Sequence, residues 1–313
     1  MKRWMGIALI LLLLGILPQV LGDYYVILLT KILIFAIFAM SLDLIQGYIG
    51  LPSLGHGAFF GVGAYTIGIF SIKVLNNFWI NFPLAIALAG IVAALFGLLV
   101  LRTRAAYFFL ITAALSEVLY GIACTWRFFT GGHDGMPGIA RPDIGFIPWS
   151  LLSAANYFYF VLFFFIVAFM VMYVIVRSPF GHIIVSIREN ELRMRALGYH
   201  TWLYKYVSFI ISGLFAGLSG GLLAYLNGFV SPDVLRISLS AEALLMVLLG
   251  GPGTLIGPVI GAASVVFLEN IVSSYMERWV LILGIIYVLV VMFTPQGILG
   301  LINKMRLKSQ SKV

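Results

Sequence analysis

Residues 177–205 read RSPFGHIIVSIRENELRMRALGYHTWLYK, the longest strongly polar stretch in an otherwise oily chain. Ser178 suits a helix N-cap, Pro179 the first helical position, and Gly198 falls where a left-handed C-cap would close a helix about five turns later. The spacing predicts one short helix. Ile183, Ile187, Met194 and Leu197 form its apolar stripe, interrupted at Asn190, and Arg188, Glu189, Glu191, Arg193 and Arg195 cover the remaining faces. A helix of this pattern lies on something. It rests either on a membrane surface, with its arginines toward anionic head groups, or on another protein as a docking element.

The sequence on either side decides the class. Of 313 residues 62% are hydrophobic and 10% charged, with a mean hydropathy of +1.10, too little polar surface to cover a soluble globule of this length. The expectation is an all-α, polytopic bundle of membrane helices in contact with lipid. A net charge of +8 comes without a basic patch interleaved with aromatics, so no nucleic-acid partner is expected and the positive-inside rule accounts for the charge. The lone Cys124 allows no internal disulfide and no metal cluster.

Apolar runs fall at roughly 4–17, 25–46, 54–72, 80–101, 106–125, 151–176 and 204–226, each near the length a bilayer core requires. The first, behind Lys2 and Arg3, is read as a spanning helix rather than a signal peptide. Residues 238–272 form one long apolar region broken by GGPGTLIGP at 250–258. If this region crosses twice, turning on the inner side, a last helix at about 279–294 returns the basic tail 301–313 to the inside. Ten crossings then result. Thirteen of the nineteen Lys and Arg residues lie inside and five outside, with Lys31 within a span, which supports this orientation with a cytoplasmic C-terminus.

Two breaks resemble each other. GYIGLPSLGHGAFFGVG at 47–63 and GGPGTLIGPVIG at 250–261 both interrupt apolar runs and both turn on the inner side, with Gly50, Pro52, Gly55, Gly251, Pro252 and Gly253 as the helix-breaking residues. Broken helices at membrane depth point to a pathway or to close packing, and the pairs Gly57 with Gly61, Gly213 with Gly217 and Gly221, and Gly257 with Gly261 favour packing. Glu117, near the middle of its run beside Thr112 and Ser116, is expected to face the bundle interior or a cavity, because a charge near the bilayer centre is costly. With Ser53 and His56 these residues are the pathway candidates. Asp43, Lys31 and Glu242 are placed nearer span ends, within snorkelling reach of the interface. His56 has no second ligand at metal spacing and is read as a packed or hydrogen-bonding histidine. The outer loop containing TGGHDGMPGI at 130–139 is long for a connection, either functional or a flexible connector. No phosphate-binding loop, HExxH, GxSxG elbow or TVGYG filter is present, so the chain is not expected to hydrolyse ATP or to act as an enzyme.

The stretches DLIQGYIGLPSLGHGAFFGVGAYT (43–66), TGGHDGMPGI, 177–205, GGLLAYLNGFVSP (220–232), MVLLGGPGTLIGPVIGA (246–262) and TPQGILG (294–300) together resemble the permease family of branched-chain amino-acid ABC transporters, nearer the M-type than the H-type permease. The resemblance runs from about residue 24 to 300. It implies one permease domain over 1–313, of the type II ABC-importer kind, in the inner or plasma membrane. A second, H-type permease, two cytoplasmic ATP-binding cassette subunits carrying ATP and Mg, and an external binding protein would complete the assembly, with no cofactor on this chain. By position it makes Arg188, Glu189, Asn190, Glu191 and Gly198 part of the segment that docks on an ATPase. Leu51, Pro52 and the apolar run from His182 to Ser186 depart from the family pattern. A urea or short-amide branch shares these motifs, and an ion-coupled transporter or channel using Glu117 is the reading from a different class.

Overall fold

A computed structural model describes residues 21–103, 105–142 and 151–275, with isolated positions 15, 18, 19, 281, 284, 285, 288 and 297. Helix α1 (Asp23–Asp43) is apolar on all faces, and from Leu33 to Asp43 every residue is buried. A helix with no polar face has to be surrounded, and α1 is. Around it pack α6 (Ala154–Arg177), α9 (Thr201–Asn227), α10 (Ile237–Gly250) and α11 (Ile256–Tyr275). Against α9 lie α2 (His56–Lys73) and α3 (Phe78–Val100), and α4 (Ala105–Thr125) closes that side. The outward faces of α3, α4 and α6 carry Leu95, Leu99, Leu110, Val118, Phe163, Met170 and Val174, all exposed, as a hydrocarbon solvent permits.

Small residues set the helix spacings. A methyl group at Gly220 of α9 would collide with the Phe60 carbonyl of α2, and one at Gly63 of α2 with the backbone of Gly217. Gly213 and Gly217 press on the β-carbons of Ala93 and Ala89 of α3, and Gly261 sits against the Met246 carbonyl. The glycine pairs are therefore packing surfaces, as their spacing suggested.

Among the described residues six helical segments are long and apolar enough to cross a membrane: Asp23–Ile49, Phe78–Val100, Ala106–Thr125, Ala154–Arg177, Thr201–Asn227 and Ile256–Ser274. The 14-residue α10, about 21 Å at 1.5 Å per residue, falls short of a core roughly 30 Å thick. Before it the chain leaves α9 at Asn227, forms strand β2 (Phe229–Val230) and runs through a tight turn at Pro232–Leu235 that packs against α2 and α4. The expected last helix at 279–294, the first run at 4–17 and the tail 301–313 lie, single positions apart, outside the described residues.

At one end of the bundle the TGGHDGMPGI loop is a folded element. The short helix α5 (Arg127–Thr130) leads into strand β1 (Met136–Pro137), which pairs antiparallel with β2, Met136 opposite Val230. Lys73 donates to the Phe128 carbonyl and lies over the Phe128 and Phe129 rings. Arg141 donates to the Leu151 and Leu152 carbonyls and stacks on Tyr157. Of the two readings of this loop, the flexible connector is the one the described part does not follow.

Candidate coupling site

The polar stretch folds as two helices. Ser178 accepts from the Gly181 amide and Pro179 opens α7 (Pro179–Glu189), and Gly198, at φ +88°, ends the segment as a left-handed residue. In between, Asn190 is extended, at φ −157° and ψ 94°, and its side chain accepts from the Arg193 amide to start α8 (Glu191–Ala196). The expected single helix is thus corrected at Asn190, whose side chain offers the next turn an N-cap in competition with helix continuation. The break also turns the stripe. Gly181, Ile184, Ile187 and Met194 are buried, whereas Ile183 is only half-buried and Leu197 is exposed.

Arg188 points back into the permease. The helix preceding the first break widens into a π-helical turn over Leu44–Ile49 and ends at Gly50, whose φ of +82° suits only glycine. The aliphatic stem of Arg188 packs on Gly50, its guanidinium donates to the Gly47 carbonyl, and Nη1 lies against Gly253 in the second break. Beneath it, the fully buried Asp43 accepts from the Gly253 amide at 2.8 Å. The two glycine-rich breaks therefore meet, and Arg188 holds the meeting point from the surface helix. A β-carbon at Gly47 would strike both Asp43 and the Gly253 amide, so the junction has no room for a larger residue. Asp43 does not snorkel, as its place near a span end had suggested. It is sealed under the break it helps to bind.

Glu191 ties α8 to α9. Its carboxylate pairs with Arg195 at 2.7 Å and Lys205 at 2.6 Å and accepts from the Thr201 hydroxyl at 3.0 Å. Burial opposes its charge, but the hydrogen bonds and charge of Lys205, with Arg195 and Thr201, outweigh that and hold the carboxyl below its ordinary value. Glu189 and Asn190 are exposed beside it. Arg188 and Glu191 are thus engaged within the chain, and Glu189, Arg193 and Leu192 form the outward face of the segment.

The pathway candidates separate into two places. His56, Ser53, Ser212 and Ser41 form a buried chain: Ser212 Oγ donates to the Ser41 carbonyl, so His56 Nε2 donates to Ser212 Oγ at 2.6 Å, leaving Nδ1 to accept from Ser53 at 3.1 Å. With the imidazole neutral its proton sits at Nε2, and the chain joins α1, α2 and α9. Thr112 Oγ1 accepts from the Leu54 amide and Ser116 donates to the Leu235 carbonyl at 2.8 Å, clamping α4 to the first break and to the turn before α10. Glu117 is not in the interior. The inward stripe of α4 is Phe108, Thr112, Ser116 and Ala123, and Glu117 lies one residue round from it, exposed, accepting from the Ile237 amide at 3.3 Å where α10 begins. Lys31, placed within a span, pairs with Glu269 at 3.2 Å. Ser212 and Ser240, whose hydroxyl accepts from the Gly57 amide at 2.7 Å, carry no sequence signal of their own, and nor does the sealing of Asp43, since each is defined by a partner far away in the chain. Among the described residues no cluster of His, Cys, Asp and Glu could hold a metal ion.

Comparison with known proteins places this architecture. The chain is 30% identical over 302 residues to the high-affinity branched-chain amino acid transport system permease protein LivM of Salmonella typhimurium, covering 90% of this chain and 71% of that one. It is likewise 30% identical to LivM of Escherichia coli, covering 86% and 68%. To the LivH permease protein of Salmonella typhimurium it is 23% identical, over 85% of this chain and 91% of the relative. No solved structure matches. The family model for the branched-chain amino acid transport system permease component matches residues 24–292, a span that takes in both glycine breaks, the α7–α8 segment and every helix from α1 to α11, and the chain belongs to that family.

Proposed function

We propose that this chain is the M-type permease subunit of an ATP-driven importer of leucine, isoleucine and valine, a multi-pass protein of the inner or plasma membrane with a cytoplasmic C-terminus. The names of its relatives support the substrate class, and similarity to both LivM and LivH supports pairing with a second, H-type permease. In this reading the chain crosses ten times in the type II importer arrangement. Two cytoplasmic ATPase subunits hold ATP and Mg, an external binding protein delivers the amino acid, and the outward face of α7 and α8 docks on an ATPase.

The observation that carries the mechanism is the convergence of Arg188 on both glycine breaks. A helix end anchored at Ser178 and continued through the Asn190 cap moves as a rigid lever, and Arg188 fixes that lever to the two places where α1 and α10 are interrupted. ATP-driven closure of the ATPases then displaces the breaks together. Alternating access follows if the ATPase states bind differently to the two arrangements. Ser53 lies in the first break, His56 opens the helix that follows it, and Thr112, Ser116 and Glu117 are on α4, which Thr112 ties to that break through the Leu54 amide.

The test is a gentle detergent pull-down from native membranes combined with leucine uptake by the same cells. Recovery of a second permease and ATPase subunits, lost on substitution of Glu189 and Arg193, supports the reading. Recovery of this chain alone, under conditions in which other ABC assemblies survive, sinks it.

A further inference from the structure

Three ionisable residues lie within helices of the bundle and take no part in the coupling junction. Lys31 of α1 pairs with Glu269 of α11 at 3.2 Å, and beside that pair the Tyr24 hydroxyl donates to Asn270 at 2.6 Å. Lys31 is about 12 Å along α1 from Asp23, and Glu269 about 9 Å short of the end of α11 at Tyr275. Glu242 of α10 is the third, about 12 Å before Gly250. Its place follows from the helix register. Gly257 lies against Gly250 and Gly261 against Met246, so each turn back along α10 meets a turn forward along α11. The next turn pairs Glu242 with Val265, and the one after it sets Ser238, which is exposed, opposite Glu269. Glu242 is thereby one turn from the ion pair, near enough that the charges of Glu269 and Lys31 both act on it.

The three charges do not balance. Lys31 answers Glu269, whereas Glu242 Oε1 is buried with no hydrogen-bond partner among the described residues. A buried carboxylate oxygen without a donor is rare and costly, and it marks a place where a cationic donor fits. The ion pair itself is not sealed, since the Lys31 and Glu269 side chains keep 35% and 18% of their exposure. At that depth an ion pair reaching the surface of its helices needs water or protein beside it, not hydrocarbon. A bare cation would serve Glu242 and repel Lys31. A zwitterion serves both: its ammonium against Glu242 and its carboxylate against Lys31 complete an alternation of charge that ends at Glu269. Because α10 and α11 are the two arms of the second break, a displacement at Gly251–Gly253 also changes the gap between Glu242 and Glu269, and with it the affinity for whatever bridges them.

We infer that Glu242, Lys31 and Glu269 form the site that holds the charged end of the transported amino acid, with Glu242 accepting from its ammonium, Lys31 donating to its carboxylate and Glu269 keeping Lys31 in place. The site rests on the amino-acid importer reading and adds to it the groups of this chain that grip the part common to leucine, isoleucine and valine.

The test uses the complete transporter, with partner permease, ATPases and binding protein, in proteoliposomes. Glu242→Gln keeps the shape and removes the charge, and is expected to slow uptake of leucine and valine alike by about twentyfold, the loss of one charge-assisted hydrogen bond, while ATP hydrolysis stimulated by the binding protein continues. In a second preparation Ser238→Cys, made with Cys124→Ala to remove the native thiol, is expected to react with a water-soluble methanethiosulfonate, and leucine delivered by the binding protein is expected to slow that reaction. Wild-type uptake by an assembled Glu242→Gln transporter, a loss confined to one of the two amino acids, or labelling that leucine leaves unchanged would overturn the site. Protection by sodium ions in place of leucine would overturn it in favour of a simple cation site. If Glu242→Gln fails to assemble, the protection measurement decides alone. A wild-type assembly that hydrolyses ATP but takes up neither amino acid would overturn the importer reading and the site with it, whereas any of the other failures beside normal wild-type uptake overturns the site alone.

Discussion

Replacing Arg188 by methionine keeps most of the aliphatic stem that packs on Gly50 and removes only the guanidinium, so the change isolates the link to Gly47 and Gly253. A hydrogen bond from a charged donor contributes about 1.5–3 kcal/mol net, and the partial exposure of this one argues for the lower half of that range. Taking about 2 kcal/mol, the equilibrium between a coupling helix locked to the breaks and one detached from them shifts roughly 30-fold toward detachment. The assay is the ratio of leucine taken up to ATP hydrolysed in proteoliposomes. The expected outcome is ATP hydrolysis near wild type with uptake per ATP reduced by an order of magnitude or more. Asp43→Asn acts on the same junction through the Gly253 amide, so the double variant should lose less than the sum of the single losses. An assembled Arg188→Met transporter whose uptake per ATP stays within twofold of wild type would refute the lever.

Other outcomes follow from single contacts. Gly220→Ala drives a methyl into the Phe60 carbonyl and should cost about 1–3 kcal/mol, read as a drop of several degrees in the detergent melting temperature. Ser212→Ala strands the Nε2–H of His56 and should destabilise by roughly 1–3 kcal/mol, while Ser208→Ala, whose hydroxyl bonds only its own helix at Tyr204, should stay within about 0.5 kcal/mol on the same scan. The carboxyl of Glu191 is held below its ordinary value when folded, so its contribution is present above the unfolded carboxylate range and disappears as pH falls through the folded value. Proteolysis at the α8–α9 junction should therefore quicken on acidification in the wild type and be fast already at neutral pH in Glu191→Gln.

The helices themselves were legible because hydrophobic length is a local property: every apolar run that falls within the described residues became a helix near the expected bounds. Ser178, Pro179 and Gly198 also acted as their residue types dictate, since caps are set by neighbours in sequence. Asn190 shows the limit of stripe counting. Its interruption of the pattern was visible, but the competition between continuing one helix and capping another is decided by a side chain bonding three residues on. Glu117 and Asp43 exchanged places relative to expectation, the mid-span residue lying exposed and the end-of-span residue sealed. Depth in a span can be counted from sequence, whereas the face of a helix at the edge of a bundle depends on which neighbours it has. The same holds for Arg188, whose inward reach needs Gly47 and Gly253, 141 and 65 positions away (188 − 47 and 253 − 188).

The burial of α1 also governs how the protein is made. Its Lys31 waits for Glu269, 238 residues later, and its Asp43 for the Gly253 amide, 210 residues later. At roughly 5–20 residues per second, those partners leave the ribosome some ten to fifty seconds after α1 does. For that interval the most enclosed helix of the finished permease is its least sheltered, with Lys31 and Asp43 lacking any lasting counterpart. An insertase or the partner permease has to shield it meanwhile, and nascent chains halted before α11 should be the preferred substrates of membrane quality-control proteases.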